Sequence, residues 1–182
     1  MLPLSMLQAG LVTLLASGPA PLPPVASVSQ ATLDDPTIVA IFDAANTYDM
    51  ETSGLAEKRA THSDVKALGK QFAGDHKAVR QQGRDLAKKL GVTPTPPKDD
   101  KGAKDHADAM KKLEAAKGED FDKAYLAHEV AYHQAVIDAI NQQLLPAIKN
   151  PELKAFVQKV GPAFQAHLDA AKKLAQKYSA TT

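Results

Sequence analysis

Residues 65–90 read VKALGKQFAGDHKAVRQQGRDLAKKL, and this stretch indicates the fold class. Its apolar residues recur at alternating intervals of three and four, which is the period of one face of an α-helix. They are Val65, Leu68, Phe72, Val79, Leu86 and Leu90. His76, preceded by Asp75, interrupts this apolar stripe between Phe72 and Val79. The stretch therefore predicts a long helix that carries a histidine on its core-facing side.

The same pattern recurs twice. Residues 126–144 carry His133 within a stripe of Leu, Val and Ile, and residues 153–178 carry His167 within a stripe of Leu, Phe and Val. Each histidine lies near the middle of its helix, so in a bundle with aligned ends the three fall within roughly 10 Å along the axis. Imidazoles that converge in this way bind metals or move protons.

Capping and helix-breaking residues divide the chain from residue 34 onward into four long helices. Asp35-Pro36 predicts the start of the first helix and Asn150-Pro151 the start of the fourth, since a capping residue followed by proline favours a helix N-terminus. Gly91 predicts a left-handed C-cap for the second helix. The third is expected from about residue 119 to 145, and the fourth to about residue 178 with a bend at Gly161-Pro162.

The connection between the second and third helices is long. Residues 91–102 contain three prolines and cannot form a regular helix, whereas residues 104–117 predict a short helix outside the bundle. A crossover of this length allows the second and third helices to run parallel, as in ferritin-like folds. No segment shows sustained β alternation. The predicted fold is an all-α four-helix bundle over residues 34–180, with a short extra helix in the crossover.

Residues 1–33 are predicted to be a signal peptide followed by a proline-rich tail. Residues 6–17, MLQAGLVTLLAS, have the length and apolar character of a signal-peptide core, although no basic residue precedes them. A start upstream of Met1 and an unstructured tail are the two explanations that remain open. Export would place the protein in the periplasm or outside the cell. No other segment is apolar enough to cross a membrane.

Composition excludes several function classes. The chain of 182 residues contains no cysteine, which rules out disulfides, thiol nucleophiles and iron–sulfur ligation. Its 22 basic and 21 acidic residues are interspersed, so there is no basic patch for nucleic acid. Phosphate-binding loops, serine elbows and zincin motifs are also absent from the sequence.

Carboxylates near the three histidines complete a candidate metal site. The candidate ligands are His76, His133, His167, Glu51, Asp75 and Glu129. Imidazoles with a carboxylate suit a single Zn, Cu, Fe or Mn ion. Three tyrosines are candidates for hydrogen-bond partners of these ligands: Tyr48, Tyr125 and Tyr132. The remaining histidines are expected at the surface or rim: His62, His106 and His128.

Two observations limit this hypothesis. Di-iron carboxylate bundles use Glu-x-x-His pairs, and this sequence has none, so ferroxidase or oxygenase chemistry is disfavoured. A buried histidine can also be satisfied by a nearby carboxylate without any metal, and pairs of His76 with Glu51 or of His133 with Glu129 would serve.

Three features of the chain resemble the bacterial domain of unknown function 4142 family. They are the run FAGDHK at residues 72–77, the pattern Tyr125…His133, and Pro162…His167-Leu168. The resemblance covers about residues 36–178. It implies a ferritin-like bundle and export to the periplasm or cell envelope, and it supplies no established reaction.

We therefore expect an exported bundle without a defined enzymatic activity that binds one transition-metal ion through its core histidines. The alternative is a structural or interaction protein of the cell envelope whose core histidines are only hydrogen-bonded. A redox or hydrolytic enzyme that uses the same pocket is a third hypothesis. Self-association and an envelope partner both stay open.

Overall fold

A computed structural model describes residues 33–179, and helices joined by loops are the only regular secondary structure in this part of the chain. Its helices are α1 Asp35–Arg59, α2 Ser63–Leu90, α3 Lys101–Ala115, α4 Gly118–Ala139, α5 Leu145–Ala147 and α6 Pro151–Ser179. A π-helical turn, Ile140–Leu144, joins α4 to the short α5. The expected all-α class is confirmed. The expected signal peptide and tail, residues 1–33, lie outside the described residues except for residue 33.

The four long helices form a bundle in which α1 packs chiefly on α2, and α4 on α6. At one end of the core the start of α1 meets the end of α2, the π turn after α4 and the start of α6. At the other end the last turns of α1 and α6 meet the first turns of α2 and α4. Helices α2 and α4 are therefore parallel, and both are antiparallel to α1 and α6. This is the arrangement, as in ferritin-like folds, that the length of the crossover allows.

The crossover places α3 on the outside, as expected. Leu113 is its only buried residue, and it packs into the core end formed by the first turns of α2 and α4. The Arg59 guanidinium donates to the carbonyls of Leu113 and Ala116, which fixes the last turn of α3 to the end of α1. Among residues 33–179 no helix is long and apolar enough to cross a membrane.

Helix boundaries follow local capping chemistry. Gly91 takes the left-handed conformation that ends α2, with φ of 66°, as the sequence predicted. The N-cap of α1 is Asp34 rather than Asp35, because the Asp34 carboxylate accepts from the amide of Thr37. Asp35 instead accepts from the amides of Lys149 and Asn150, and so ties the start of α1 to the start of α6. Helix α6 continues without interruption through Pro162.

Two glycines on α2 differ sharply in their surroundings. A Cβ at Gly69 would lie 2.7 Å from the carbonyl oxygen of Ser53 and 2.8 Å from the Cβ of Ala56, whereas a Cβ at Gly74 would meet nothing within 4 Å. Gly69 therefore permits the close approach of α1 and α2. This approach brings the buried side of α1 toward the middle of α2.

These glycines form a matched pair for mutation. We expect Gly69→Ala to lower the free energy of unfolding by about 1–3 kcal/mol because the α1 backbone must move. We expect Gly74→Ala to raise it by about 1 kcal/mol because alanine has the higher helix propensity. Urea unfolding measures both. Equal effects of the two substitutions would contradict the close α1–α2 contact.

Candidate metal centre

Polar side chains occupy the middle of the core, between the two apolar ends of the bundle. The buried polar residues in the described part of the chain are Asn46, Asp49, Thr52, Ser53, His76, Asp122, Glu129, His133 and His167. All except Asp122 lie away from the first and last turns of α1, α2, α4 or α6. The centre is thus built from all four long helices.

The three histidines predicted to converge do so. One nitrogen from each of His76, His133 and His167 lies within 4.8 Å of the other two. The Nε2 atom of His76 is 3.4 Å from Nε2 of His133 and 3.2 Å from Nδ1 of His167. The regular spacing of three and four residues on α2, α4 and α6 therefore identified both the depth and the direction of these side chains.

The carboxylate that faces them comes from Asp49, a residue that the sequence analysis did not select. Its Oδ2 atom is 3.3 Å from Nε2 of His76 and 3.5 Å from Nε2 of His133. Asp49 is fully buried, and its Oδ2 has no hydrogen-bond partner in the structure. The contacts with the imidazoles are short, but they do not have the geometry of a hydrogen bond.

The outer nitrogen of each imidazole faces an oxygen. Nδ1 of His76 is 2.9 Å from Oδ1 of Asn46, whose amide nitrogen donates to the carbonyl of Phe42 and so fixes the orientation of the amide. Nδ1 of His133 is 3.1 Å from the carbonyl of Glu129, and Nε2 of His167 is 3.1 Å from Oδ2 of Asp75. These oxygens accept, so the outer nitrogens carry the hydrogen.

A neutral imidazole has one N–H, so each inner nitrogen carries a lone pair. The lone pairs of the three inner nitrogens thus face one another, and Oδ2 of Asp49 lies against those of His76 and His133. This is the arrangement in which protein ligands present themselves to a cation, with the second nitrogen of each histidine oriented by an oxygen acceptor.

Burial opposes protonation of these imidazoles. Burial, together with the nearby His133 and His167, lowers the pKa of His76 to about 2. Burial also lowers the pKa of His133 and of His167, although Asp49 and Asp75 respectively counteract this effect. The three rings therefore remain neutral at physiological pH, as metal-ligating imidazoles must.

Glu129 is a second fully buried carboxylate beside Asp49. Its Oε1 accepts from the Thr52 hydroxyl at 3.2 Å, and its Oε2, 3.3 Å from Nδ1 of His133, has no hydrogen-bond partner. Burial raises the pKa of Glu129 to about 8. Burial and the neighbouring Glu129 raise the pKa of Asp49 well above its ordinary value. The expected pair of His133 with Glu129 is therefore a close contact without a hydrogen bond between the side chains, because the Nδ1 hydrogen of His133 is donated to the backbone carbonyl of Glu129.

Two predicted carboxylates lie elsewhere. Glu51 was expected on the core-facing side of α1, and this expectation is wrong. Its side chain is 53% exposed, and its Oε2 lies 2.7 Å from Nε2 of His106 on α3. Asp75 is 51% exposed and contacts the outer nitrogen of His167, so it orients this histidine from the surface.

The error on α1 has a physical cause. The more apolar face of α1 carries Ile41, Tyr48 and Leu55, with Glu51 on the same side. The face that is buried instead passes through Phe42, Asn46 and Asp49 and continues to Thr52, Ser53 and Ala56. Polar side chains occupy most of its second half, so hydrophobicity alone does not reveal it. Continuation of the spacing of three and four from Val39 and Phe42 would have identified these residues.

The tyrosines and the other histidines surround the centre without entering it. The Tyr125 hydroxyl is 3.0 Å from Oγ of Ser53, which in turn donates to Oδ1 of Asp49 at 3.1 Å. The Tyr132 hydroxyl donates to the carbonyl of Ala45, and the ring of Tyr48 stacks on His106. The other two histidines, His62 and His128, are half-buried at the rim, and His62 pairs with Asp122.

Fold and centre together define a class, an all-α bundle with a buried cluster of histidines and carboxylates. The family model described as "Domain of unknown function (DUF4142)" matches residues 20–174, and the chain belongs to this family. A solved structure, "CopM in the Cu(II)-bound form", is similar with a TM-score of 0.61 at 15% identity, over 80% of this chain and 98% of that chain. At this identity the similarity concerns the fold. No curated protein matches the chain.

The carboxylates make the stability of the metal-free protein depend on pH. The folded-state pKa of Glu129 lies at about 8, above its ordinary value of 4.5, so the folded state binds this proton more tightly and loses stability as pH rises through this interval. The lowered pKa of His76 makes stability rise with pH, because the unfolded state binds this proton more tightly. This effect is confined to pH values below the ordinary pKa of 6.5.

We therefore expect the free energy of unfolding, measured by urea titration in the presence of a chelator, to fall between pH 6.5 and pH 8. Glu129→Gln should make this fall smaller, because the amide keeps the shape of the side chain and does not titrate. An identical pH dependence in the Gln variant would contradict the assignment to Glu129. Glu114→Gln, at an exposed position of α3, is the control for the loss of a carboxylate at the surface.

Proposed function

We propose that this protein binds one divalent transition-metal ion inside the bundle, through Asp49, His76, His133 and His167. The observation that carries the proposal is the convergence of three imidazole lone pairs beside the buried Asp49 Oδ2, which lies 3.3 Å from Nε2 of His76 and 3.5 Å from Nε2 of His133 and has no hydrogen-bond partner. Lone pairs that face one another repel unless a cation lies between them. A buried acceptor without a partner costs about 1–3 kcal/mol, more when it is charged.

Charge balance supports a divalent ion. Asp49 and Glu129 are fully buried, and no lysine or arginine is buried in the part of the chain that the structure describes. Two isolated carboxylates in a core of low dielectric are unfavourable unless they are protonated or paired. One M²⁺ ion with both carboxylates ionised gives a neutral centre. In this role Glu129 would balance charge and support His133, and Asp49 would bind the ion.

The spacing of the donors supports a small ion with tetrahedral coordination. Donors at about 2.0–2.1 Å from an ion in this geometry lie about 3.3–3.4 Å from one another. The Nε2 atom of His76 lies 3.2 Å from Nδ1 of His167, 3.3 Å from Oδ2 of Asp49 and 3.4 Å from Nε2 of His133. Zn(II) prefers this geometry. Cu(II), which the similar CopM structure contains, also accepts imidazole and carboxylate ligands.

Four protein ligands would complete a tetrahedral shell and leave no position for a substrate. Catalytic zinc sites keep one position for water or substrate, whereas closed sites do not. We therefore propose storage, carriage or sequestration of the ion rather than catalysis. The family resemblance and the apolar N-terminal segment support export, with residues 34–180 as the folded domain and residues 1–33 as signal peptide and tail.

Metal retention tests the proposal directly. Untagged protein is loaded with Zn(II) or Cu(II), dialysed, and analysed for metal and protein content. We expect one ion per chain, and loss of this ion in His133→Ala and in the isosteric Asp49→Asn. An excess of metal of 100 times Kd adds about 2.7 kcal/mol of stability and should raise Tm by roughly 5–10 °C.

His106→Ala is the matched control, since His106 also lies beside a carboxylate but contacts Glu51 on the outside of the bundle. It should retain the ion. If the wild-type protein holds no metal and its Tm does not respond, the metal-binding proposal is wrong. The cluster would then be a hydrogen-bonded network, with a proton on Asp49 in place of the metal.

The partners of the outer nitrogens give a second test. We expect Asn46→Ala to weaken metal binding by about 10–100-fold, the usual cost of losing the hydrogen-bond partner of a metal-ligating histidine. The reason is that Asn46 holds Nδ1 of His76 and so directs Nε2 inward. Isothermal titration against a competing chelator measures the change. Unchanged affinity would contradict the proposed orientation of His76.

A further inference from the structure

We propose that the ion enters and leaves between α2 and α6, where Asp75 is its first contact and His167 is the ligand that exchanges. This inference rests on the metal binding proposed above. It assigns a route to that centre and a kinetic role to a surface carboxylate.

Exposure of the side chains identifies the route. Asp49 is 0% exposed, His133 1%, His76 3% and His167 7%. The exposed fraction then rises to 51% at Asp75, whose Oδ2 is 3.1 Å from Nε2 of His167. Among the four proposed ligands, His167 thus lies nearest to solvent, and its own hydrogen-bond partner is at the surface.

The three histidines are held to different degrees. His76 is held by Asn46, which is fully buried, and His133 by the backbone carbonyl of its own helix at Glu129. His167 is held by the exposed Asp75, which can follow the ring or release it. The ring of His167 also stacks on Phe72 at a centroid distance of 4.0 Å, a contact that has no directional bond to break.

Helix α6 favours movement at this point. Pro162 lies inside α6, five residues before His167, and it is exposed. Proline has no N–H, so the carbonyl of residue 158 lacks the hydrogen bond that an ordinary residue would supply. The loss of this bond lowers the cost of a small displacement of the half of α6 that carries His167.

On the opposite side, between α1 and α4, a surface cavity is lined by Tyr48, His106 and Tyr132, and the ring of Tyr132 lies between this cavity and His133. The Tyr132 hydroxyl donates to the Ala45 carbonyl and joins the two helices, and the ring of Tyr132 packs edge-on against His133. The carboxylate of Glu51 and the ring of His106 form a surface pair on this side, but neither contacts a proposed ligand. Glu51 is 53% exposed, close to the 51% of Asp75, and like Asp75 it lies beside Nε2 of a histidine.

Exchange kinetics test the route. Metal-free protein is mixed with Co(II), whose tetrahedral complexes absorb strongly in the visible region, and release is followed after addition of EDTA. Asp75→Asn removes the charge and keeps an oxygen that can accept from His167. We expect the binding rate to fall by about 10-fold, the lower end of the effect of electrostatic focusing on association. Release follows the same route in reverse, so its rate should fall by a similar factor and the equilibrium affinity should change little.

Glu51→Gln, the matched control, should leave both rates unchanged. Equal rates in Asp75→Asn and wild type would overturn the inference, as would an equal slowing in Glu51→Gln. If Asp75 serves only to orient His167, its replacement should accelerate release and weaken binding, which would also overturn the route. If the wild-type protein binds neither Co(II) nor Zn(II) at equilibrium, the metal-binding proposal fails together with this one.

Discussion

The central constraint on this structure is the burial of two carboxylates, Asp49 and Glu129. Among residues 33–179 the core contains no lysine or arginine that could balance their charge. Carboxylates in such a position require a cation or protons, and the three neutral imidazoles around them cannot readily supply protons because their own pKa values are lowered. Apolar contacts at the two ends of the bundle provide the hydrophobic stabilisation that allows the polar centre to exist. The bundle therefore combines two apolar ends, which stabilise it, with a polar centre that costs stability.

The topology positions the centre. Because α2 and α4 run parallel, His76 and His133 project into the core at similar depth from helices of the same direction, while α1 and α6 bring Asp49 and His167 from the opposite direction. The crossover that makes this possible packs lightly, with Leu113 as the only buried side chain of α3. Gly69 contributes by letting α1 approach α2 closely. The site thus depends on helix order and on one small residue, as well as on its ligands.

Much of the fold could be predicted from the sequence, because α2 and α6 each carry one polar residue on an otherwise apolar face. The convergence of His76, His133 and His167 followed from the same periodicity. The carboxylate partner could not be found in this way. Helix α1 buries Asn46, Asp49, Thr52 and Ser53, and its more apolar side, with Tyr48 and Leu55, is only half-buried. A pattern based on hydrophobicity fails where function replaces apolar residues, and the exposed Glu51 was selected for this reason.

The chain of contacts from Tyr125 through Ser53 to Asp49 has a spectroscopic consequence. The protein has four tyrosines and no tryptophan, so its intrinsic ultraviolet fluorescence comes from tyrosine alone. Tyr125 is fully buried, and its hydroxyl is one hydrogen-bonded residue away from Asp49. A second tyrosine ring, that of Tyr132, lies edge-on to His133. The molecule therefore carries two natural fluorophores beside its polar centre, and their emission can report the state of that centre without any added label.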